Sequence, residues 1–222
     1  MPKHFHTAAG KVNAKTLCAF RRDLLRWYRR HKRDLPWRHT RDPYRIWISE
    51  IMLQQTRVET VCDYYQRWLR AFPDVTTLAR APFSRVHKLW EGLGYYTRAR
   101  NLHRAARHLV RHHAGQLPVT AAELRALPGI GPYTAAAVAS IAFNEPVPVV
   151  DGNVARVLAR VFAIADNVKK PGTLKKLSVL AGELLPLKRA ADFNQAMMEL
   201  GALVCLPGQP HCESCSLRNI CL

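Results

Sequence analysis

Apolar residues recur at helical spacing along almost the whole chain, and prolines cut that pattern into short pieces. Lys15–Arg30 places Leu17, Phe20, Leu24 and Trp27 at helical intervals, while Arg21, Arg22, Arg26 and Arg29 fall mostly elsewhere. Pro36 and Pro43 break the chain before a second helical run that begins near Tyr44. Pro73 and Pro82 punctuate short helices, Arg98–His113 reads as a basic helix, and Pro118, Pro128 and Pro132 mark further boundaries. Asn153–Phe162 and Phe193–Val204 read as apolar helices. Val147–Val150 is the only β-like stretch, and there is no internal repeat. The expected fold class is all-α. With 222 residues, 48% of them hydrophobic, the chain can bury a real core as one large domain or two small lobes.

Charge narrows the choice of partner. Lys and Arg number 34 against 16 Asp and Glu, a formal net charge of +18 spread over the chain rather than gathered in one tail. A chain this basic points to a polyanion, nucleic acid first, with a merely basic surface or a ribosome-associated protein as the plainer readings. No apolar run approaches the roughly 18 residues of a spanning helix. Met1–Gly10 is polar and unlike a signal peptide, so the cytosol is the expected compartment. There disulfides are disfavoured and clustered cysteines read as ligands.

Four of the six cysteines, Cys205, Cys212, Cys215 and Cys221, lie near the end with spacing C-x6-C-x2-C-x5-C. Thiolates so close in sequence suit a zinc site or an iron–sulfur cluster, and spacing alone does not choose between them. Cys18 and Cys62 read as buried thiols on apolar helical faces.

Two other features carry chemistry. Leu127-Pro-Gly-Ile-Gly-Pro-Tyr-Thr134 opens the apolar helix Ala135–Ala142. Gly129, Ile130 and Gly131 can form a tight turn whose amides, with those of Tyr133 and Thr134 at the positive end of the helix, would hold a backbone phosphate. An ordinary helix-to-helix turn is the alternative. Acidic residues are scarce, so Glu50 within Ile46-Trp-Ile-Ser-Glu-Ile-Met-Leu53 stands out. Among such neighbours its carboxyl should hold a proton near neutral pH, as a general acid must, unless it forms a buried salt bridge with an arginine. Asp151 follows Val147–Val150 just before a helix, where it is either a second functional carboxylate or an N-cap.

These motifs together resemble the endonuclease III branch of the helix-hairpin-helix glycosylases. Pro36-Trp-Arg38, Ser49-Glu-Ile-Met-Leu-Gln-Gln-Thr56, Gly92-Leu-Gly-Tyr-Tyr96, Val150-Asp-Gly-Asn153 and Phe193-Asn-Gln-Ala-Met-Met-Glu-Leu-Gly201 resemble the MutY-type adenine DNA glycosylases within it. The similarity runs from about Leu17 to Cys221. It implies two helical lobes: a six-helix barrel over residues 32–145, and a lobe in which residues 1–31 join 146–222, closed by a 4Fe–4S cluster on Cys205, Cys212, Cys215 and Cys221. Glu50 would protonate the extruded purine, and Asp151 would stabilise the charge developing on the sugar, with Tyr133 and Asn153 supporting them. Bifunctional relatives have Lys where this chain has Tyr133, which implies a monofunctional enzyme. Gln55 and Tyr95 match positions that wedge into the duplex. Leu35, Trp37, Arg38, Val58 and Gln195 match the adenine pocket, although Trp37 and Tyr95 could be plain core aromatics.

The implied partner is double-stranded DNA with a mismatch or oxidised base, bound by a monomer in the cytoplasm or at the nucleoid. The implied lesion is adenine opposite 8-oxoguanine or guanine. MutY-type enzymes usually continue into a Nudix-like domain, whereas this chain stops at Leu222. The expectation is either truncation or reading of the opposing base by the catalytic lobes alone. Two other readings remain: a Mig-type glycosylase removing thymine or uracil opposite guanine, and a non-catalytic DNA-binding iron–sulfur module.

Overall fold

A computed structural model describes residues 12–222, and the expectation for Met1–Gly10 lies outside them. The chain divides into two compact units, Asp34–Glu145 and a second built from Met1–Arg33 with Pro146–Leu222. Among the described residues regular structure is helical, and no helix is long and apolar enough to cross a membrane.

Helix α1 (Ala14–His31) starts at Asn13, whose side chain accepts from the Thr16 amide, and ends on Arg29, Arg30 and His31, suited to a helix C-terminus. It buries Phe20, Leu24, Leu25, Trp27 and Tyr28. The Asp34–Glu145 unit begins with a short 3-10 turn, Pro36–Arg38. Then come α2 (Pro43–Met52), α3 (Val58–Ala71), α4 (Val75–Arg80), α5 (Phe83–Trp90), α6 (Thr97–His112), α7 (Ala121–Arg125) and α8 (Pro132–Phe143). The expected run from Tyr44 is thus broken after Met52 by a loop that the sequence does not announce with Pro or Gly. Helix α2 packs on α3 and α8, α7 on α8, and α4 and α5 on α6. Alanines make up much of α8, and their small side chains let α2 lie close. Every residue of α2 from Tyr44 to Met52 except Arg45 is buried, and each large apolar side chain so buried contributes roughly 1.5–3 kcal/mol.

The second unit returns α1 to the C-terminal helices α9 (Gly152–Val161), α10 (Pro171–Leu184) and α11 (Ala190–Leu203). Phe20 sits between Phe162 and Phe193, each ring 6.1 Å away. Helix α10 was not expected. Its buried face (Thr173, Leu177, Leu180, Ala181, Leu184) has helical spacing, but Gly172, Gly182 and exposed lysines obscure it. Val147–Val150 is extended without forming a strand. The Asn194 side chain accepts from the Val149 amide and donates to the Val147 carbonyl, standing in for a neighbouring strand.

The cysteine loop corrects an expectation. Cys205, Cys212, Cys215 and Cys221 line one cavity of about 80 Å³. Among the described residues, however, no group of three or more His, Cys, Asp or Glu side chains is placed to hold a metal ion. Arg160 occupies two of the thiols: its Nη1 donates to Cys205 Sγ at 3.5 Å, and Cys221 Sγ donates to its carbonyl at 3.7 Å. Burial pushes the Cys215 and Cys221 thiols up. The 4Fe–4S cofactor and the cluster-bearing character of this lobe are therefore not supported, while the all-α fold is. The loop is fastened by buried Leu217, by Arg160 donating to the Leu206 carbonyl, and by the Leu222 amide donating to Val161. Lining one cavity is not the same as being placed to hold one ion. Nor are Cys18 and Cys62 the buried thiols expected, being exposed and half-buried.

Candidate active site

Glu50 lies on α2 with 6% of its surface exposed, among Ile46, Trp47 and Ile51. A carboxyl so buried costs several kcal/mol unless hydrogen-bonded. Tyr133, in the first turn of α8, donates its hydroxyl to Glu50 Oε2 at 3.0 Å. One turn further on, Gln54 donates to Thr134 Oγ1 at 3.2 Å, a second tie between the end of α2 and the start of α8. A buried arginine–carboxylate pair of the kind weighed for Glu50 is made by Glu199. That carboxylate is buried and accepts from the Arg33 amide, Nε and Nη2 at 2.8–3.1 Å.

The turn before α8 separates its two glycines by role. Gly129 has φ +77°, and a Cβ there would lie 2.4 Å from Asn101 Cβ, so only glycine fits. Gly131 has neither constraint: its φ is −83° and an added Cβ would meet nothing within 4 Å. Ile130 is buried, and its amide is used within the turn, donating to Leu127 O at 3.2 Å. It anchors the turn and has no amide left for a phosphate. Of the amides expected to hold a phosphate in this turn, that of Ile130 is thus already engaged.

Gln55 and Tyr95 share an unusual backbone. Both have left-handed φ, +57° and +47°, which costs a non-glycine residue roughly 1–2 kcal/mol, and both are exposed. Tyr95 is 62% exposed, which excludes the core-aromatic reading. Trp37 is the opposite case: it is buried edge-on against Tyr65 with ring centroids 5.5 Å apart. Leu35 is buried, and Arg38 and Val58 are half-buried in the same unit. Arg98 was missed by sequence reasoning. It follows the Gly92–Tyr96 motif, and its partly buried guanidinium reaches the loops carrying both Gln55 and Tyr95.

In the other unit Asp151 is the N-cap of α9, as the plainer reading had it, yet the cap takes only one oxygen. Oδ1 accepts from the Val154 amide at 2.7 Å and Oδ2 from Asn153 Nδ2 at 3.0 Å. Arg156 Nη2 donates to Asn153 Oδ1 at 2.8 Å. A guanidinium can only donate, so this contact fixes which way the Asn153 amide points and turns its NH2 toward Asp151. Arg156 also donates to the Gly201 and Cys205 carbonyls, tying the group to the end of α11. A Cβ at Gly201 would lie 2.6 Å from Asn153 Cβ, which explains a glycine inside a helix. Gln195 is on α11 of this unit, half-buried, with Nε2 on the Ala191 carbonyl.

Residues 48–182 match the family model described as HhH-GPD superfamily base excision DNA repair protein. The chain is 49% identical to the adenine DNA glycosylase of Rattus norvegicus over 212 residues, covering 91% of this chain and 41% of that one. It is 42% identical over 222 residues to that of Schizosaccharomyces pombe, covering 91% and 48%. It thus spans less than half the length of these relatives. Among solved structures it is similar to a thermostable thymine-DNA glycosylase, with a TM-score of 0.85, 33% identity, and coverage of 93% and 95%. A non-covalent endonuclease III–DNA complex, at TM-score 0.78 and 22% identity over 95% of each chain, shares the fold.

Proposed function

The chain belongs to the HhH-GPD superfamily of base excision DNA repair proteins, and from that membership we propose that it hydrolyses the bond between deoxyribose and adenine mispaired with 8-oxoguanine or guanine. One observation carries the chemistry: a buried carboxyl, Glu50, held by the Tyr133 hydroxyl. Glu50 donates its proton to a ring nitrogen of the extruded purine, and the C1′–N9 electron pair leaves with the base. Asp151 faces the positive charge developing on the sugar. Water then adds to C1′ and gives its proton to the carboxylate that Glu50 has become. Tyr133 is not an amine and cannot form a Schiff base, so the reaction is hydrolytic and leaves an intact abasic strand. Duplex DNA is the proposed partner, gripped through its phosphates by the basic surface and the turn before α8.

A panel of duplexes bearing A opposite 8-oxoguanine, A·G, A·C, T·G and U·G tests this, with alkali revealing abasic sites. Adenine release with little adduct trapped by borohydride is the expected result. The similarity to a thymine-DNA glycosylase, 33% identical over 93% of this chain, favours a second reading, removal of thymine or uracil opposite guanine. Clear release from T·G with none from the adenine duplexes would establish that reading instead.

A further inference from the structure

Arg98 sits half-buried at the start of α6 and spends its guanidinium on two separate loops. Nη1 donates to the carbonyls of Ile51 and Met52 at 2.9 and 3.0 Å and to that of Gln54. Nη2 donates to Thr56 Oγ1 at 3.2 Å, and to the carbonyls of Leu93 and Gly94 at 3.0 and 3.3 Å. Its plane lies over the rings of Trp90 and Tyr95, 5.3 and 5.6 Å from their centroids. Gln55 is therefore bracketed by Gln54 and Thr56, both bonded to Arg98, while Tyr95 follows Gly94 and touches the guanidinium with its ring. Both are exposed and hold a left-handed backbone against their own preference, as Ala114 and Ala163 also do, but Gln55 and Tyr95 are flanked by groups bonded to one guanidinium.

We propose that Arg98 is a positioning residue that presets Gln55 and Tyr95 as one two-pronged wedge for unstacking a base. The inference rests on the glycosylase reading above and deepens it. One cation accepting no bonds and donating to six oxygens joins the loops more stiffly than either loop could hold itself. The wedge is then formed before DNA arrives, so the cost of ordering two loops does not fall on the flipping step. Lysine in its place, a point charge with three donors on a flexible stem, keeps the charge but cannot span both loops.

The test uses the full chain, with 2-aminopurine, a fluorescent adenine analogue, opposite guanine in a duplex. It brightens when unstacked. A second duplex carries the same analogue in a one-nucleotide bulge, where little unstacking is needed. With Arg98→Lys at saturation, the brightening on the paired duplex should fall by about fivefold, while the bulged duplex responds as with wild type. Full brightening on both would overturn the proposal, and so would an equal loss on both, which is what a purely structural residue produces. Should Arg98→Lys fail to fold, Thr56→Val decides, because it removes one tie at a half-buried loop position. It should show a smaller loss confined to the paired duplex, and wild-type behaviour there would overturn the proposal. Silence from the wild-type chain on both duplexes would defeat the glycosylase reading and the wedge with it.

Discussion

Glu50 and Asp151 are both carboxylates placed by helices, but the two settings are built on opposite lines. Glu50 lies in the interior of a helix, sealed among apolar side chains, with a neutral hydroxyl as its donor. Asp151 stands at a helix N-terminus, half-exposed, with both oxygens accepting from N–H groups and a guanidinium behind them. The first suits a group that must carry a proton into an apolar site. The second suits a group that must stay an acceptor and face a cation. The difference also shows what each substitution can test. Asn replaces Asp well as an N-cap, so Asp151 can lose its charge without losing its helix.

The largest effect should come from Glu50→Gln. Base release should fall by roughly a thousandfold in single-turnover assays, since the proton donor is gone, while duplex affinity stays near wild type. A comparable loss of affinity would mean Glu50 grips the ground state, and the distinction from Asp151 would collapse. Asp151→Asn should cost roughly a hundredfold in rate with the melting temperature unchanged. Asp151→Ala should match that rate loss and also destabilise the fold by about 1 kcal/mol, the value of a lost cap. If Asn and Ala behave alike in thermal denaturation, the capping bond contributes nothing.

Much of this was legible from residues, and the failures have physical causes. Glu50 was visible because a carboxyl in Ile46–Leu53 is costly and so needs a reason to be there. Asp151 read equally as cap or catalyst, and the structure uses one oxygen for the cap and leaves the other to Asn153. The turn at Gly129 was legible as a turn, but not that Ile130 closes it with its own amide. Arg98 and Arg156 were invisible. The chain has 34 Lys and Arg residues, and nothing local distinguishes one that reaches acceptors more than forty residues away, as Arg98 and Arg156 do, from one that lies in solvent. The cluster on the cysteine loop was implied by the resemblance, spacing alone having left zinc and iron–sulfur open, and the described side chains are not placed to hold it.

Arg156 allows a smaller test of how Asp151 is held. Arg156→Gln loses the reach to Gly201 and Cys205, so the Asn153 amide is no longer held with its NH2 aimed at Asp151. The rate should drop by about tenfold, as misorientation near a reacting centre does. In an Asp151→Asn background the same change should cost almost nothing, because the charge it positions is already absent.

The smallest effect, and the sharpest probe of the Glu50 setting, is Tyr133→Phe. It removes one hydroxyl and leaves the ring, and a net hydrogen bond of this kind is worth about 1 kcal/mol, so release should slow by about fivefold. Its magnitude matters less than its coupling. If Tyr133 acts only by holding Oε2 of Glu50, then Tyr133→Phe should have no further effect once Glu50 is Gln, and the double variant should release base as slowly as Glu50→Gln alone. Equal fivefold losses in both backgrounds would mean that the hydroxyl meets the substrate itself. The buried acid would then have a partner that acts beside it rather than through it, unlike Asn153, whose amide is committed to Asp151.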